Sequence, residues 1–489
     1  MVFDTRRAPA TAPSWVADAV VYQIFPDRFR RSGRVEAQRQ LALMPWGSDP
    51  AAQGFQGGDL FGVIEALDHL QELGISCLSL NPVFSSAANH RYHAYDYLQV
   101  DPLLGGNAAL EALITAVHAR GMRLILDGVF NHCGRGFWAF HHLLENGERS
   151  PYRDWFYIDQ WPLQPYPRQG ENCGYHCWWN DPALPKFRHD HPPVREYLLG
   201  VARHWIAAGI DGWRLDVPDE LPPDFWNAFR QEVRRLNPDA WIVGEIWGDA
   251  TTWLGGDRFD GVMNYPLTWS LLGYFGARTV RRELKLAPLP KPPYQPLDRA
   301  GFQQRLEQEL ARYPQAVIRS QLNLLDSHDT PRALHALGGD QEALRLALLM
   351  LFLLPGAPCL YYGTEMGLGG GPEPACREAF PWDEAPGPLF TWLQELTGLR
   401  RQLPALRSTA LTVPASPSDD LLLLTRGEGS ARLWVAINRS DAALPLPLPL
   451  PAGPMELLWS CSSQPGWQPL AAGSWLPGRG ALILAAPPG

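Results

Sequence analysis

The segment Gly212–Asp216 (GWRLD) places a carboxylate two positions after a cation. Residues two apart share one face of a β-strand, so Arg214 and Asp216 would lie side by side on a strand. A neighbouring cation lowers the pKa of a carboxyl group and keeps it ionised, as a nucleophile requires. For this one Asp, a structural ion pair at a strand end explains the pattern better than catalysis does.

Three more acidic residues, Asp127, Glu245 and Asp329, also follow apolar stretches that we predict to be buried strands. The carboxyl ends of parallel barrel strands meet at one rim, and catalytic groups of that fold lie there. Structural acids would be scattered along the chain, whereas these acids converge on one rim together with Asp216. The set therefore favours a catalytic site.

The chemistry that fits is that of a retaining glycosidase, which needs two carboxyl groups about 5 Å apart, one ionised and one protonated. Asp216 beside Arg214 suits the ionised nucleophile. Glu245 suits the general acid/base, because an apolar setting that includes Trp247 raises a carboxyl pKa. We predict that Trp247 also contacts the substrate, and that Asp329 holds sugar hydroxyls and distorts the ring.

Histidine and tyrosine residues near the same strand ends are further candidates. His132 and His328 offer neutral donors to sugar hydroxyls, although for either residue alone a structural role is the better interpretation. Tyr92 follows the second predicted strand and would stack under the reacting sugar. A loop tyrosine half-buried against the neighbouring insertion explains Tyr92 equally well.

The elements that position these residues alternate between strands and helices. Eight apolar stretches are predicted as strands: 19–29, 75–84, 123–131, a run ending at 216, 240–247, 261–267, 320–326 and 357–363. Helical spacing occupies 60–73, 110–119, 194–208, 223–236, 301–313, 342–353 and 389–401. Parallel strands need helical crossovers, so the pattern predicts an α/β fold, a (β/α)8 TIM barrel.

Two regions depart from the alternation. Residues 133–192 are long, aromatic and rich in Pro and Gly, which predicts a small domain inserted after strand three. After about residue 404, short strands between Pro/Gly turns predict a C-terminal antiparallel β-sandwich. The predicted domains are 1–132 and 193–404 for the two parts of the barrel, 133–192 for the insertion and 405–489 for the sandwich.

Composition limits the partners. A formal net charge of −9 argues against nucleic acid and favours a neutral substrate. The chain has 20 tryptophans, whose flat rings stack on the apolar faces of sugars but are also common in ordinary cores. No apolar run is long enough to span a membrane. The oligomeric state stays open between a monomer and a homodimer.

The N-terminus and the cysteines indicate the compartment. Met1–Ser14 is Pro/Ala-rich and lacks the apolar core of a signal peptide, so we expect a cytoplasmic protein. The seven scattered cysteines fit reduced thiols. Cys173 and Cys177 flank His176, but without a second pair of ligands free thiols are the better interpretation. The low-complexity stretch 444–451 is expected to be an extended edge or connection.

Four short motifs give the chain a family resemblance. The chain resembles the α-amylase superfamily, glycoside hydrolase family 13, and the resemblance runs from about residue 15 to the C-terminus. The matching motifs occur in the family's order: 127–132 (DGVFNH), 212–216 (GWRLD), 244–247 (GEIW) and 327–329 (SHD).

The resemblance implies Asp216 as nucleophile, Glu245 as general acid/base and Asp329 as transition-state stabiliser. The residues it implies around the scissile sugar are Arg214, His132, His328, His90 and Tyr92. Asp127 and Asn131 support the rim in the family, and in some members the Asn binds calcium. No fuller calcium set is identifiable in the sequence, so neither a metal nor a cofactor is predicted.

Within the family, the chain is similar to the neopullulanase and cyclomaltodextrinase group. The stretches 21–29 (VYQIFPDRF) and 57–60 (GGDL) support this, whereas 184–187 (LPKF) differs at two positions from the group's Met-Pro-Lys-Leu. Because the barrel begins near residue 15, we expect none of the N-terminal β-domain of the longer members. The resemblance therefore implies a short neopullulanase-type debranching enzyme.

The leading hypothesis is a retaining hydrolase of α-1,4 and α-1,6 bonds in maltodextrins, pullulan or branched glucan. A transglycosylase that passes the sugar to another sugar would use the same site and the same covalent intermediate. The third hypothesis is a catalytically inactive glucan-binding protein. The presence of all the candidate catalytic acids disfavours it.

Overall fold

The computed structural model describes residues 12–287, 289–446, 455–461 and 474–486. The chain divides into two compact units. The first unit contains residues 21–263 and 377–384, together with the segment before Trp15. The second unit contains 15–20, 264–376 and the described residues from 385 onward.

The first unit contains parallel strands with helical connections and one antiparallel strand pair. Its strands are β1 (Val21–Ile24), β2 (Cys77–Leu80), β3 (Phe84–Ser86), β4 (Ala94–Val100), β5 (Arg123–Gly128), β6 (Gly212–Leu215), β7 (Trp241–Gly244) and β8 (Gly261–Val262). Its helices are α1 (Pro26–Phe29), α2 (Glu36–Arg39), α3 (Leu60–Glu65), α4 (Leu67–Glu72), α5 (Gly106–His118), α6 (Trp138–Asn146), α7 (Pro192–Ala208) and α8 (Pro223–Leu236).

Six of these strands form a parallel sheet in the order β8-β7-β6-β5-β2-β1. Every residue of β1, β2, β6 and β7 is buried, because such a sheet is covered on both faces. The sequence meets this demand with near-continuous apolar runs. Strands β1, β2 and β6 nevertheless each carry a buried polar side chain, namely Gln23, Ser79 and Arg214.

The second unit continues the alternation. Its helices are α9 (Tyr265–Phe275), α10 (Arg299–Arg312), α11 (Gln315–Ile318), α12 (Ala333–Ala336), α13 (Gln341–Leu353) and α14 (Pro388–Gln402). Strands β9 (Leu322–Leu324) and β10 (Ala357–Tyr361) pair in parallel. With the six parallel strands of the first unit, they give the eight strands of a (β/α)8 barrel, so the predicted fold class is confirmed.

The end of the chain is antiparallel, as predicted. Its strands are β11 (Leu411–Thr412), β12 (Leu421–Arg426), β13 (Leu433–Asn438), β14 (Leu444–Pro445), β15 (Glu456–Cys461), β16 (Trp475–Leu476) and β17 (Ala481–Ala485). Five form a sheet in the order β11-β12-β13-β17-β15, and β14 pairs with β16. Leu421 and Leu482 of the larger sheet share one buried cluster with Leu476 of the smaller sheet, which makes the core of a sandwich.

Several predicted elements have different bounds. The predicted strand 261–267 is wrong beyond Val262, because α9 begins at Tyr265 and the Asn264 side chain caps its first turn. The predicted first strand, 19–29, ends at Ile24, and Pro26 then opens α1. The antiparallel pair β3–β4 was not predicted. The connection between these two strands contains the candidate residues His90 and Tyr92.

Two predictions fall partly outside the described residues. Most of Met1–Ser14 lies outside them. Of the stretch 444–451, only the first three residues are described, and Leu444 pairs with Leu476. Because the chain divides at residues 263 and 264 into units of a different kind, the predicted domain boundaries stay predictions.

Among the residues that the structure describes, no helix is both long enough and apolar enough to cross a bilayer.

Gly212 is the strand residue most sensitive to an added side chain. A Cβ at this position would lie 2.1 Å from the carbonyl oxygen of Trp241 on the neighbouring strand. We expect Gly212→Ala to lower the free energy of unfolding by about 2–4 kcal/mol, because backbone must shift to admit the methyl group. Denaturant unfolding measures this change.

Gly398→Ala is the matched control. Gly398 lies inside α14 with nothing within 4 Å of the added Cβ. Alanine there should be neutral or stabilising by up to about 1 kcal/mol. Equal effects of the two substitutions would contradict the close approach at Gly212.

Candidate active site

One buried guanidinium lies at the centre of the site in the first unit. Arg214 Nη1 donates to both carboxylate oxygens of Asp127 at 2.8 and 2.9 Å, and to Oδ1 of Asp216 at 3.0 Å. Arg214 Nη2 lies 2.8 Å from Oε1 of Glu245. Arg214, Asp127, Asp216 and Glu245 are respectively 1%, 2%, 5% and 3% exposed. Three carboxyl groups thus share one cation with almost no contact with solvent.

The charge of Arg214 is fixed by these neighbours. Burial alone would lower the pKa of the guanidinium, because a low-dielectric interior disfavours charge. The carboxylates of Asp127 and Glu245 outweigh burial and raise the pKa of Arg214 well above its usual value. Arg214 is therefore a permanent cation in the folded protein.

Strand register explains the contact between Arg214 and Asp127. Strands β5 and β6 pair in parallel with Asp127 directly opposite Arg214. Asp216 then follows β6 on the same face as Arg214. The sequence predicted the second contact from spacing within one strand, but the first contact depends on register between two strands.

Three groups hold Glu245, one by an ion pair and two by hydrogen bonds. Besides Arg214, Nε1 of Trp247 donates to Glu245 Oε1 at 3.3 Å, and the main-chain N–H of Val217 donates to Oε2 at 3.3 Å. The apolar setting inferred from the sequence is therefore only part of the surroundings of Glu245. Burial favours the protonated carboxyl group, whereas the Arg214 cation favours the ionised one.

Val217 carries a strained backbone next to Asp216. Its φ and ψ are 34° and 53°, in the left-handed region, which a β-branched residue rarely adopts. In this backbone conformation the Val217 N–H donates its hydrogen bond to Glu245. Strain of this kind clusters at functional sites.

Tyr92 extends the network from the other side. Its hydroxyl donates to Asp127 Oδ2 at 2.9 Å and accepts from the amide of Asn81 at 3.1 Å. The His90 ring is stacked against the Tyr92 ring with centroids 5.9 Å apart. Tyr92 is half-buried, and its ring orientation is fixed by polar partners at the strand ends rather than by the insertion alone.

His132 lies at the start of the insertion and is fully buried. Burial lowers its pKa to about 3, so the imidazole is neutral near pH 7. Nδ1 of His132 lies 3.3 Å from the side-chain nitrogen of Asn131. The donation of His132 to a sugar hydroxyl stays a prediction. The His132 ring stacks on Trp178 with centroids 5.0 Å apart and an interplanar angle of 11°.

The remaining predicted residues lie in the second unit. His328 is fully buried, and its Nε2 lies 2.9 Å from Oδ2 of Asp329, whose side chain is partly exposed. The main-chain N–H of Asp329 donates to the Ser327 hydroxyl at 3.2 Å, so the turn after β9 is tied down. The structure brings His328 and Asp329 together as one pair.

The cysteine pair in the insertion does not extend into a larger set. The Sγ atoms of Cys173 and Cys177 are 3.9 Å apart, and Nε2 of His176 lies 3.2 Å from Asp159. All seven cysteines are free thiols. In the described part of the chain, no three His, Cys, Asp or Glu residues are grouped as a metal site requires.

Sequence reasoning missed three contributors: Asn81, Val217 and Trp178. Asn81 directly follows β2, so the rule that polar residues end barrel strands could have found it. Val217 acts through its main chain, which no side-chain pattern reveals. Trp178 lies in the aromatic stretch 133–192, whose composition singles out no one ring.

One protein family matches most of the chain. The family described as "Alpha amylase, catalytic domain" matches residues 23–386. The chain belongs to the alpha-amylase family.

Individual members of the alpha-amylase family are similar over most of the chain. A cyclomaltodextrinase of Geobacillus thermopakistaniensis is 41% identical over 446 residues, which cover 90% of this chain and 72% of that protein. Neopullulanase 2 of Thermoactinomyces vulgaris is 39% identical over 438 residues, which cover 88% and 70%. The crystal structure of a debranching enzyme from Nostoc punctiforme superimposes with a TM-score of 0.87 at 41% identity, covering 98% of this chain and 100% of that one.

The predicted family and the predicted group within it, cyclomaltodextrinases and neopullulanases, are thereby confirmed, and so is the prediction of a hydrolase of this family. The family also implies an oligosaccharide substrate.

His189 makes stability depend on pH. Its Nε2 donates to the Phe130 carbonyl at 2.8 Å, and burial lowers its pKa to about 4. The unfolded histidine, with its pKa of 6.5, takes up a proton first as the pH falls. This contribution to stability is therefore complete above about pH 6.5 and is lost as the pH falls towards 4.

We expect His189→Gln to lose less stability on acidification than the wild type, by about 1.4 kcal/mol per pH unit between pH 6 and 4.5. Glutamine keeps a donor for Phe130 but does not titrate. Denaturant unfolding at several pH values measures the slopes. The exposed His141→Gln should keep the wild-type slope, and equal slopes in all three proteins would contradict the role of His189.

Proposed function

We propose that the protein is a retaining α-glucan hydrolase that cleaves α-1,4 and α-1,6 glucosidic bonds in maltodextrins, pullulan or branched glucan. One observation carries the proposal: Asp216 and Glu245, at the ends of neighbouring strands, contact the same guanidinium. Two carboxyl groups that face one site are the requirement for a double-displacement glycosidase. The neopullulanase and debranching enzymes among the relatives support this choice of bonds.

In the first step, a carboxylate oxygen of Asp216 forms a bond to the anomeric carbon of the sugar. The glycosidic bond breaks, and Glu245 gives its proton to the leaving oxygen. In the second step, Glu245 takes a proton from water, and the water oxygen displaces Asp216 from the anomeric carbon. Two displacements retain the α-configuration. If a sugar hydroxyl replaces the water, the result is transfer instead of hydrolysis.

Arg214 serves both carboxyl groups in this proposal. Its contact with Asp216 favours the ionised nucleophile. Its contact with Glu245 stabilises the carboxylate that is left after proton donation, and Trp247 and the Val217 N–H do the same. Asp127 accepts two hydrogen bonds from Nη1 of Arg214 and one from the Tyr92 hydroxyl, which orients Tyr92.

The remaining residues are assigned by the family motifs. Asp329 is the transition-state stabiliser, with His328 paired to its carboxylate. Neutral His132 donates to a sugar hydroxyl. Tyr92 and His90 present adjacent rings to the reacting sugar.

The setting of the enzyme is also proposed. A cytoplasmic location is supported by the free thiols, which fit a reducing compartment. The net charge of −9 supports a neutral glucan as the partner and neither nucleic acid nor an anionic membrane surface.

Removal of either proposed catalytic acid should abolish turnover without unfolding the protein. We expect Asp216→Asn and Glu245→Gln to lower kcat on maltodextrin by at least about 10³-fold, because each removes a group that acts in the transition state. Release of reducing ends measures kcat, and circular dichroism checks the fold.

Asp224→Asn is the matched control, since the exposed Asp224 pairs only with Arg195 among the described ion pairs. It should keep wild-type kcat. Near-normal turnover in Asp216→Asn or Glu245→Gln would show that the roles are wrongly assigned.

Pullulan tests which bonds are cleaved. We expect maltotriose from α-1,6 cleavage together with panose or isopanose from α-1,4 cleavage, because the proposal assigns both bonds to the one site. Chromatography against standards separates the three products. A single product would restrict the enzyme to one bond, and products that hydrolysis of pullulan cannot yield would indicate transfer.

A further inference from the structure

Three aromatic rings are stacked from the buried site outward. The His132 ring lies on Trp178, and Trp178 lies on Trp179 with centroids 4.7 Å apart and an interplanar angle of 17°. His132 is fully buried, Trp178 is half-buried and Trp179 is exposed. The stack therefore connects a residue of the proposed catalytic site to the surface of the insertion.

The outermost ring leaves a flat face open. Trp179 is 57% exposed, although it is among the largest apolar side chains. One face of its ring is covered by Trp178, so the exposed area lies on the opposite face and the edges. Packing explains such a ring poorly, because an apolar side chain stabilises the fold by being buried and Trp179 is mostly exposed.

The backbone at this point favours glycine over tryptophan. Trp179 has φ 51° and ψ 27°, and Asn180 has φ 56°, both in the left-handed region. Glycine adopts this conformation without strain, whereas a bulky residue does not. The chain nevertheless carries Trp179 here, which indicates that the ring itself is needed.

The turn that presents Trp179 is fixed on both sides. The Trp178 N–H donates to the Leu184 carbonyl at 3.0 Å, and the Asp181 N–H donates to the Trp178 carbonyl at 2.9 Å. Cys177 and Pro185 form an antiparallel bridge beside it. The ring is thus held in one place before any ligand arrives, which lowers the entropy lost on binding.

We propose that the open face of Trp179 binds a glucose unit of the α-glucan chain that extends from the reacting sugar. A glucose ring has apolar C–H faces that stack on an aromatic plane and hydroxyl edges that stay in water. The inference rests on the proposed function, since it takes the sugar beside His132 as the point from which the chain extends.

A length series tests the subsite. Wild type and Trp179→Ala are compared on maltotriose through maltoheptaose by kcat/KM. We expect kcat/KM to fall at least about 5-fold more for maltoheptaose than for maltotriose, because only the longer chain reaches the ring. Trp179→Tyr should restore at least half of the lost length dependence, since it keeps an aromatic face.

Tyr166→Ala is the matched control. Tyr166 lies on the same insertion and is 77% exposed. Its substitution should leave the length dependence of the wild type unchanged. The subsite is overturned by an unchanged length dependence in Trp179→Ala, by an equal loss in Tyr166→Ala, or by no recovery in Trp179→Tyr. A wild type that cleaves none of the series would instead refute the proposed function itself.

Discussion

Three nearly buried carboxyl groups depend on the single guanidinium of Arg214. An uncompensated buried charge costs about 3–5 kcal/mol, so each acid would be hard to keep ionised without this cation. The same contacts set the chemistry, because they decide how readily Asp216 and Glu245 carry charge. The contacts of Arg214 therefore both stabilise the folded strand ends and set the charge state of the acids. Asp127 accepts two hydrogen bonds from Arg214 and so helps to hold the guanidinium in place.

Spacing within a strand was enough to predict part of this arrangement. Acids at strand ends predicted that Asp216 and Glu245 converge, and both reach Arg214 in the structure. The firmest partner of Arg214 is nevertheless Asp127, which lies on the neighbouring strand. Pairing register places these two residues opposite each other, and register is a property of two segments that no single segment encodes. The position of Asp329 relative to these residues stays a prediction.

The error in the bounds of the sixth predicted strand has a local origin. Strand β8 contains two residues, too few for periodicity to mark, so an apolar run was extended through Leu267. The sequence does mark the end of this strand, because the Asn264 cap and Pro266 in the first turn of α9 signal the start of a helix. This signal outweighs the apolar character of residues 265–267. The left-handed conformation of Trp179 gave no signal, because a tryptophan rarely adopts it. Local rules fail where tertiary contacts impose a geometry that the residue does not prefer.

The strained main chain at Val217 also affects how this protein would respond to laboratory evolution. Replacing a β-branched residue at positive φ by one that tolerates that conformation removes strain, so selection for heat resistance would favour such replacements. The same relaxation would free the segment that aims an N–H at Glu245. Selection for thermal stability alone would thus enrich variants at this position that are more stable but have a lower kcat. Selection for turnover would have to be applied alongside it.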